Sequence, residues 1–167
     1  MAARVVGAVV SGAGSEKFST HAEPVWRERS DFIINAPLAE AGRFEQLWVE
    51  KVGENQFRVC CIPFFLYDLA LGDVVETAAQ GERRYVFSRV LMKSGRYVFR
   101  AYFERPQYRF RDASVEELGR LDALVEWSSP SLLAIDACDH AHAQLVADYL
   151  QEQESAGRLM YETGKTT

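Results

Sequence analysis

The sequence has no long apolar run and too few cysteines for a disulfide framework. A transmembrane helix needs about 20 consecutive apolar residues, and no stretch of this 167-residue chain approaches that length. The mildly apolar start, residues 2–10, is shorter and less hydrophobic than the core of a typical signal peptide. Of the three cysteines, Cys60 and Cys61 are neighbours that rarely pair with each other, and the odd count leaves a free thiol. We therefore expect a cytoplasmic protein in a reducing compartment.

The sequence also lacks any motif that is diagnostic of a particular reaction. Residues 11–15 contain two glycines but lack the Lys-Ser/Thr ending of a phosphate-binding P-loop. The densest group of potential metal ligands contains Cys138, His140 and His142, but these histidines are two residues apart and point in different directions on a helix. Cys138 has the best position of the three thiols for reactivity, yet a cysteine nucleophile also needs a nearby histidine. We predict no catalytic residue, no metal and no cofactor, and therefore a protein that is not an enzyme.

The net charge of −5 hides an asymmetry between the two ends of the chain. Residues 1–111 hold 16 Lys/Arg and 13 Asp/Glu, whereas residues 112–167 hold 3 Lys/Arg and 11 Asp/Glu. Two explanations fit this pattern. The basic and acidic parts pack together and neutralise each other, or one of them is a surface that faces a partner.

Aromatic and basic residues alternate most densely in residues 83–111, where nine cations and one anion give a formal charge of +8. The pattern predicts two strands, 85–92 and 96–103, joined as a hairpin by Lys93-Ser94-Gly95. Rings that alternate with arginine on a sheet are typical of platforms for single-stranded nucleic acid. The acidic isoelectric point, near 5.3, argues against a dedicated nucleic-acid-binding protein, so we expect nucleic acid to be an unlikely partner.

Three further runs, 47–52, 56–62 and 74–78, read as strands, and the first two form a hairpin around Gly53-Glu54-Asn55. Five strands with short turns predict a curled antiparallel sheet or small barrel. Residues 30–35 fit a short strand within an N-terminal extension, 1–45, that we expect to dock on the body through its apolar residues. The body is then one domain, 46–164, with a β-rich part (46–111) and an α/β part (112–164).

Helical patterns begin only after the strands. Ser114 to Glu117 reads as a capping box, and the apolar positions that follow share one helical face: Val115, Leu118, Leu121, Leu124 and Val125. A buried strand is expected at 132–136, and Asp139 is expected to cap a second helix that ends near Ser155, before Gly157. The apolar side of that helix is predicted to contain Ala141, Leu145, Val146, Tyr149 and Leu150. With a last strand at 159–162, the prediction is an α+β protein: a barrel-like antiparallel sheet of about five strands, then a strand-helix-strand-helix-strand part that shares its core.

Several short segments resemble one bacterial family of small cytosolic proteins, DUF4265, known only as a domain of unknown function. The segments are Leu47–Val49, Ile62–Phe64, Leu71–Val75, Ser94–Tyr97 with Arg100, and Tyr161–Gly164. The resemblance covers about residues 46–164. It implies an accessory or protective protein, encoded beside a toxin, and it carries over no catalytic residue.

Our leading functional hypothesis is an immunity protein that binds a cognate bacterial toxin and occludes its active site. An acidic surface offered to a cationic partner gives fast, salt-sensitive association. The candidate contact residues are Asp136, Asp139, Asp148, Glu152, Glu154, Arg100, Arg105 and Arg109. Two alternatives remain open: a small-molecule-binding or enzymatic domain with a pocket under Phe64–Leu71 that uses Cys138 and His140, and a single-stranded nucleic-acid-binding accessory protein.

Overall fold

The computed structural model describes residues 15–166. The strands are β1 (Lys17–Ser19), β2 (Phe32–Pro37), β3 (Arg43–Gly53), β4 (Gln56–Val59), β5 (Val74–Gln80), β6 (Arg83–Met92), β7 (Tyr97–Tyr102), β8 (Leu124–Trp127), β9 (Leu132–Ala137) and β10 (Met160–Thr163). The helices are α1 (Arg111–Arg120) and α2 (His140–Ser155), with short 3-10 turns at Arg27–Arg29 and Arg105–Phe110. The predictions made for residues 2–10 and 11–14 lie outside the described residues.

Five strands close into a barrel in the order β3-β2-β6-β5-β4, because β4 also pairs with β3. Most pairings are antiparallel, but β2 runs parallel to β6 at Asn35 and Val86, so the barrel is mixed. The short β1 adds to β3 in parallel. Inside the barrel, aliphatic and aromatic side chains are fully buried, among them Ile34, Leu47 and Phe57. The prediction of an α+β fold with a barrel-like sheet of about five strands is confirmed.

The predicted hairpin of residues 85–103 is wrong, because its two strands belong to different sheets. β6 pairs with β5 and β2 in the barrel, whereas β7 pairs with β9 and β10. The turn between β6 and β7 is held by contacts with the segment before β5. The backbone N–H of Ser94 donates to Asp73 Oδ1 at 2.7 Å, and its hydroxyl donates to the Leu71 carbonyl at 2.8 Å. The turn therefore passes the chain from one sheet to the other.

The second sheet has four antiparallel strands in the order β10-β7-β9-β8. One face packs under α1 and α2 in a core of alternating strand residues and helix residues, including Phe99, Phe103, Leu118 and Leu150. A smaller buried cluster of Ile62, Phe64, Ala70, Val98 and Ala134 joins the opposite face of this sheet to the loop that follows β4. The barrel and the second sheet thus meet across the loop of residues 60–73.

The helix boundaries differ from the prediction at the first helix and agree at the second. α1 begins at Arg111, so Ser114 is not its N-cap; its hydroxyl instead donates to the Phe110 carbonyl one turn earlier, at 2.8 Å. Leu124 and Val125 lie in β8 and not on the helix. The helical spacing of the apolar residues continued past the true end, where Leu121 caps the helix and Asp122 has a φ of 63°.

For α2, Asp139 is the N-cap as predicted: its side chain accepts from the backbone N–H of His142 at 2.8 Å. Among the described residues, no helix is both long enough and apolar enough to cross a membrane.

Candidate functional site

The outer face of α2 carries an exposed apolar side chain followed by two carboxylates. The helix buries Ala143, Val146, Leu150 and Gln153 against the second sheet. At 3.6 residues per turn, Ala141, Leu145, Asp148 and Glu152 form a stripe on the opposite side, and all four are exposed. Leu145 is 55% exposed, so its predicted place on the apolar side, like that of Ala141, is wrong. We call Leu145, Asp148 and Glu152 the acidic face.

No basic residue lies on α2 to balance this face, because residues 140–155 contain neither Lys nor Arg. On α1, by contrast, Arg120 pairs with both Glu116 and Glu117. Within residues 15–166, neither Asp148 nor Glu152 forms an ion pair; Asp148 accepts only the Gln144 side-chain amide, at 2.8 Å. The acidic face is therefore a set of uncompensated, solvated carboxylates.

The basic stretch behaves differently, because four of its arginines form ion pairs within the fold. Arg83 lies 2.6 Å from Glu16 and Arg89 lies 2.8 Å from Glu76. Arg96 and Arg100 pair with Asp136 and Glu162, so they connect the basic middle of the chain to its acidic end. The explanation by internal neutralisation therefore holds for Arg96 and Arg100, whereas Asp148 and Glu152 have no ion pair within residues 15–166. That these carboxylates face a partner stays a prediction.

Asp136 does not lie on a contact surface, contrary to expectation. It is 1% exposed, and its carboxylate accepts two hydrogen bonds from Arg96, from Nε at 3.0 Å and from Nη2 at 2.6 Å. Burial raises the pKa of Asp136, and the guanidinium of Arg96 opposes that shift. Arg100 is also buried, beneath the loop after β4.

The other predicted contact residues are distributed around α2. Asp139 caps the N-terminus, and Glu154 turns toward β10, where it accepts from the backbone N–H of Tyr161 at 3.0 Å. Arg105 and Arg109 are exposed on the 3-10 turn. That turn lies beside the C-terminal end of α2, since the Gln107 side chain donates to the Gly157 carbonyl at 2.9 Å. The structure therefore brings an exposed basic turn next to the acidic helix.

The Cys138, His140 and His142 group is organised by the start of α2. His142 Nδ1 accepts from the backbone N–H of Cys138 at 2.9 Å, so this nitrogen carries no proton and Nε2 donates to the Leu121 carbonyl at 2.6 Å. His140 lies apart, with its Nδ1 3.4 Å from the Tyr97 hydroxyl. Across residues 15–166, no three or more His, Cys, Asp or Glu side chains are arranged to hold a metal ion.

A buried ionisable cluster lies at the junction of the barrel and the second sheet. His21 Nε2 is 2.8 Å from a carboxylate oxygen of Glu45 on β3, and Nδ1 is 2.7 Å from one of Glu126 on β8. All three side chains are almost completely buried. We call this group the His21 clamp, because it joins the segment before β2, the barrel and the second sheet.

Both carboxylates of the clamp also accept backbone hydrogen bonds from the loop after β4. Glu45 accepts from Phe64 at 2.7 Å and Phe65 at 3.0 Å, and Glu126 accepts from Ile62 at 2.7 Å. The clamp therefore fixes the loop that separates the two sheets.

The ring of His21 stacks on Phe64, with centroids 4.0 Å apart. Burial alone would lower the pKa of His21, but its contacts with Cys61, Glu126 and Glu45 outweigh burial and raise the pKa to about 12. The imidazolium is therefore a fixed positive charge between two carboxylates. Sequence reasoning considered His21 only as a partner for a thiol and missed both glutamates, which are 24 and 105 residues away.

An open cleft of about 400 Å³ lies between the loop after β4 and the face of the second sheet that the helices leave uncovered. We call it the aromatic cleft; its main lining residues are Phe65, Tyr67, Arg100, Tyr102, Met160 and Glu162. The predicted pocket under Phe64–Leu71 corresponds in part to this cleft, but Cys138 and His140 do not line it.

The fold defines a class of two-sheet α+β proteins, in which a closed five-stranded barrel is joined to an antiparallel sheet covered by helices on one face. The chain belongs to the DUF4265 family, a domain of unknown function, whose pattern matches residues 45–161. This confirms the predicted resemblance.

The fold is similar to a crystal structure of a hypothetical protein from Neisseria gonorrhoeae, with a TM-score of 0.61 and 17% sequence identity over 80% of this chain and 93% of the other. No curated protein shows significant similarity to the chain. Of the clamp residues, Glu45 and Glu126 fall inside the family match and His21 precedes it.

Proposed function

We propose that this protein is a cytoplasmic immunity protein that binds a cognate bacterial toxin and occludes its active site without catalysing a reaction. The observation that carries the proposal is the acidic face of α2: Asp148 and Glu152 have no cationic partner within residues 15–166, and they follow the exposed Leu145 along the same side of the helix. An apolar side chain beside charged ones resembles the edge of a protein interface, where an apolar core meets a polar rim.

The partner chemistry follows from this composition. Uncompensated carboxylates attract a cationic surface at long range and raise the association rate, mostly without large gains in affinity. Leu145 would supply the apolar contact that desolvates on docking. Arg105 and Arg109, at the C-terminal end of α2, would repel a uniformly cationic surface and so define one border of the footprint. A toxin that acts on nucleic acid or nucleotides has a cationic active site, which this face would cover.

The non-catalytic part of the proposal is supported by how the histidines are used. Both nitrogens of His142 have backbone partners, so the imidazole is not free to act as a base for the Cys138 thiol. Both nitrogens of His21 contact carboxylates in a closed interior. The imidazoles of His142 and His21 therefore contact groups of the fold itself, and neither is available to contact a substrate.

The proposal is tested by co-expression with the product of the adjacent gene. The wild-type chain should co-purify with that product and restore growth of cells that express it. The double variant Asp148→Lys and Glu152→Lys should lose both properties. A matched control, Glu54→Lys and Glu82→Lys, makes the same change in net charge at exposed turns of the barrel and should retain them. Failure of the wild-type chain to capture or neutralise the product of any neighbouring gene would overturn the proposal.

A further inference from the structure

The aromatic cleft exists because the helices cover only one face of the second sheet. Along β7, Phe99 and Ala101 face the helices, and Val98, Arg100 and Tyr102 face the other way. The loop after β4 covers Val98 and Arg100 but stops short of Tyr102, which is 43% exposed. Tyr67 on the loop and Met160 on β10 are similarly exposed at its rim. Three large side chains therefore surround a concave space that is open to the solvent.

Arg100 is the polar group at the base of this space. It is 3% exposed and stacks over Tyr67, with the guanidinium carbon 4.8 Å from the ring centroid. One end of the guanidinium donates to backbone carbonyls of the loop, at Pro63 and Leu66. Its Nη1 donates to Glu162 Oε2 at a long 3.3 Å, and within the described residues its Nε has no hydrogen-bond partner. The long Nη1 contact leaves this end of the guanidinium able to form a shorter hydrogen bond to another acceptor.

Glu162 occupies the open side of Arg100 without being held there firmly. Its side chain is 50% exposed, and its Oε2 also accepts from the Tyr67 hydroxyl at 2.7 Å. The contact of this half-exposed carboxylate with Arg100 is long, so another carboxylate that also brings apolar surface can replace it there. Because Nη2 already donates to the loop, the ligand carboxylate would accept from Nη1, in a charge-assisted hydrogen bond of ordinary length.

We propose that the aromatic cleft binds a small aromatic monocarboxylate. The ligand carboxylate displaces Glu162 from Arg100, and the aromatic ring packs between Tyr67, Tyr102 and Met160. The volume of about 400 Å³ suits a molecule of that size. The acidic face of α2 is formed by other residues, so this proposal does not depend on the proposed immunity function, and either can fail without the other.

The test is calorimetric titration of the full chain with indole-3-acetate as probe and indole-3-acetamide as its neutral counterpart. The acid should bind at least about tenfold more tightly than the amide, because only the acid forms a charge-assisted contact with Arg100. Glu162→Gln should strengthen binding of the acid several-fold and leave that of the amide unchanged, since it removes the competing charge and keeps an oxygen for the Tyr67 hydroxyl.

Two exposed positions provide the variants that separate binding from folding. Met160→Asp places a negative charge at the rim and should weaken binding of the acid, whereas Leu145→Asp on α2 should not change it. Equal binding of acid and amide, weaker binding to Glu162→Gln, or no binding at all would overturn the proposal. So would a concentration-dependent dimer that Met160→Asp abolishes, because a second copy would then be the occupant of the cleft.

Discussion

At the scale of single residues, His21 is held on both sides of its ring. An imidazole flanked by two buried carboxylates satisfies both of its nitrogens, and the carboxylates are satisfied in turn by backbone N–H groups of the loop after β4. Buried ion pairs of this kind add little net stability when they are complete. Removing one member is a different matter, since the charge of the others then remains buried without compensation.

The first prediction concerns the loss of the imidazole. His21→Ala should lower the free energy of unfolding by about 3–5 kcal/mol, because Glu45 and Glu126 are left facing each other in the interior. Urea denaturation measures this difference. His140→Ala, an exposed histidine at the start of α2, is the matched control and should change the value by less than about 0.5 kcal/mol. A loss of under about 1 kcal/mol for His21→Ala would show that the clamp is not a structural ion-pair network.

The second prediction concerns pH. The pKa of His21 is raised from 6.5 to about 12 on folding, so its stabilising contribution is complete below pH 6.5 and declines as the pH rises toward 12. Between about pH 7 and pH 8, folding takes up close to one proton, and the free energy of unfolding should fall by about 1.4 kcal/mol per pH unit. This window lies below the ordinary cysteine pKa of 9.0, where Cys60 and Cys61 would add their own dependence.

The readout is a series of urea titrations at several pH values. His21→Gln should abolish most of the slope, because glutamine cannot take up the proton. A wild-type stability that is flat across this window would mean that the buried imidazole is neutral, which contradicts the raised pKa.

At the scale of elements, α2 has a sharply divided surface. Its buried side is Ala143, Val146, Leu150 and Gln153, and its outer side is the acidic face. The sequence placed both Leu145 and Leu150 on one apolar side, since they lie five residues apart among other apolar residues. In the structure they lie on opposite sides, and only Leu150 contributes to the core.

The third prediction compares these two leucines. Leu150→Ala should destabilise the protein by about 2–5 kcal/mol, the range for a fully buried leucine whose removal leaves a cavity. Leu145→Ala should change the free energy of unfolding by less than about 0.5 kcal/mol, because the side chain is solvated already. Thermal or urea unfolding of the two variants decides the comparison, and equal losses would place Leu145 in the core instead.

The elements show what local sequence could and could not predict. The β3–β4 hairpin, β9 and the cap of α2 were predicted because their signals are local: Asn55 in a tight turn, a short apolar run, and Asp139 before a helix. The sequence did not predict that β6 and β7 belong to different sheets. A Ser-Gly turn has the same local sequence whether the second strand pairs with the first or with strands of another sheet. The difference lies in distant contacts: β7 pairs with β9 and β10, and Ser94 in the turn donates to Asp73, 21 residues away.

The candidate sites divide in the same way. The exposure of Asp148 and Glu152 could be predicted from the sequence, because charged residues on a helix usually face the solvent. Their contact with a partner stays a prediction. Asp136 looked equivalent but is buried against Arg96, 40 residues distant. The clamp and the aromatic cleft each combine residues from separate parts of the chain, so they required the fold.

At the scale of the whole molecule, charge pairing leaves the carboxylates of α2 unbalanced. Four arginines of the basic stretch, Arg83, Arg89, Arg96 and Arg100, are matched by Glu16, Glu76, Asp136 and Glu162. The His21 clamp fixes the barrel to the second sheet, and α2 lies on the far side of that sheet with its carboxylates exposed. The proposed mode of action follows from this arrangement: a rigid body presents one acidic, partly apolar helix to a cationic partner.

The measurement that tests this account most directly is the association of the purified chain with the product of the adjacent gene, the proposed toxin, followed by stopped-flow kinetics at low and high salt. The account predicts fast association that slows steeply with salt. It also predicts that Asp148→Lys with Glu152→Lys slows association by at least about tenfold, while the barrel control Glu54→Lys with Glu82→Lys leaves it within about twofold. Association that is indifferent to salt, or equally reduced by both double variants, would contradict it.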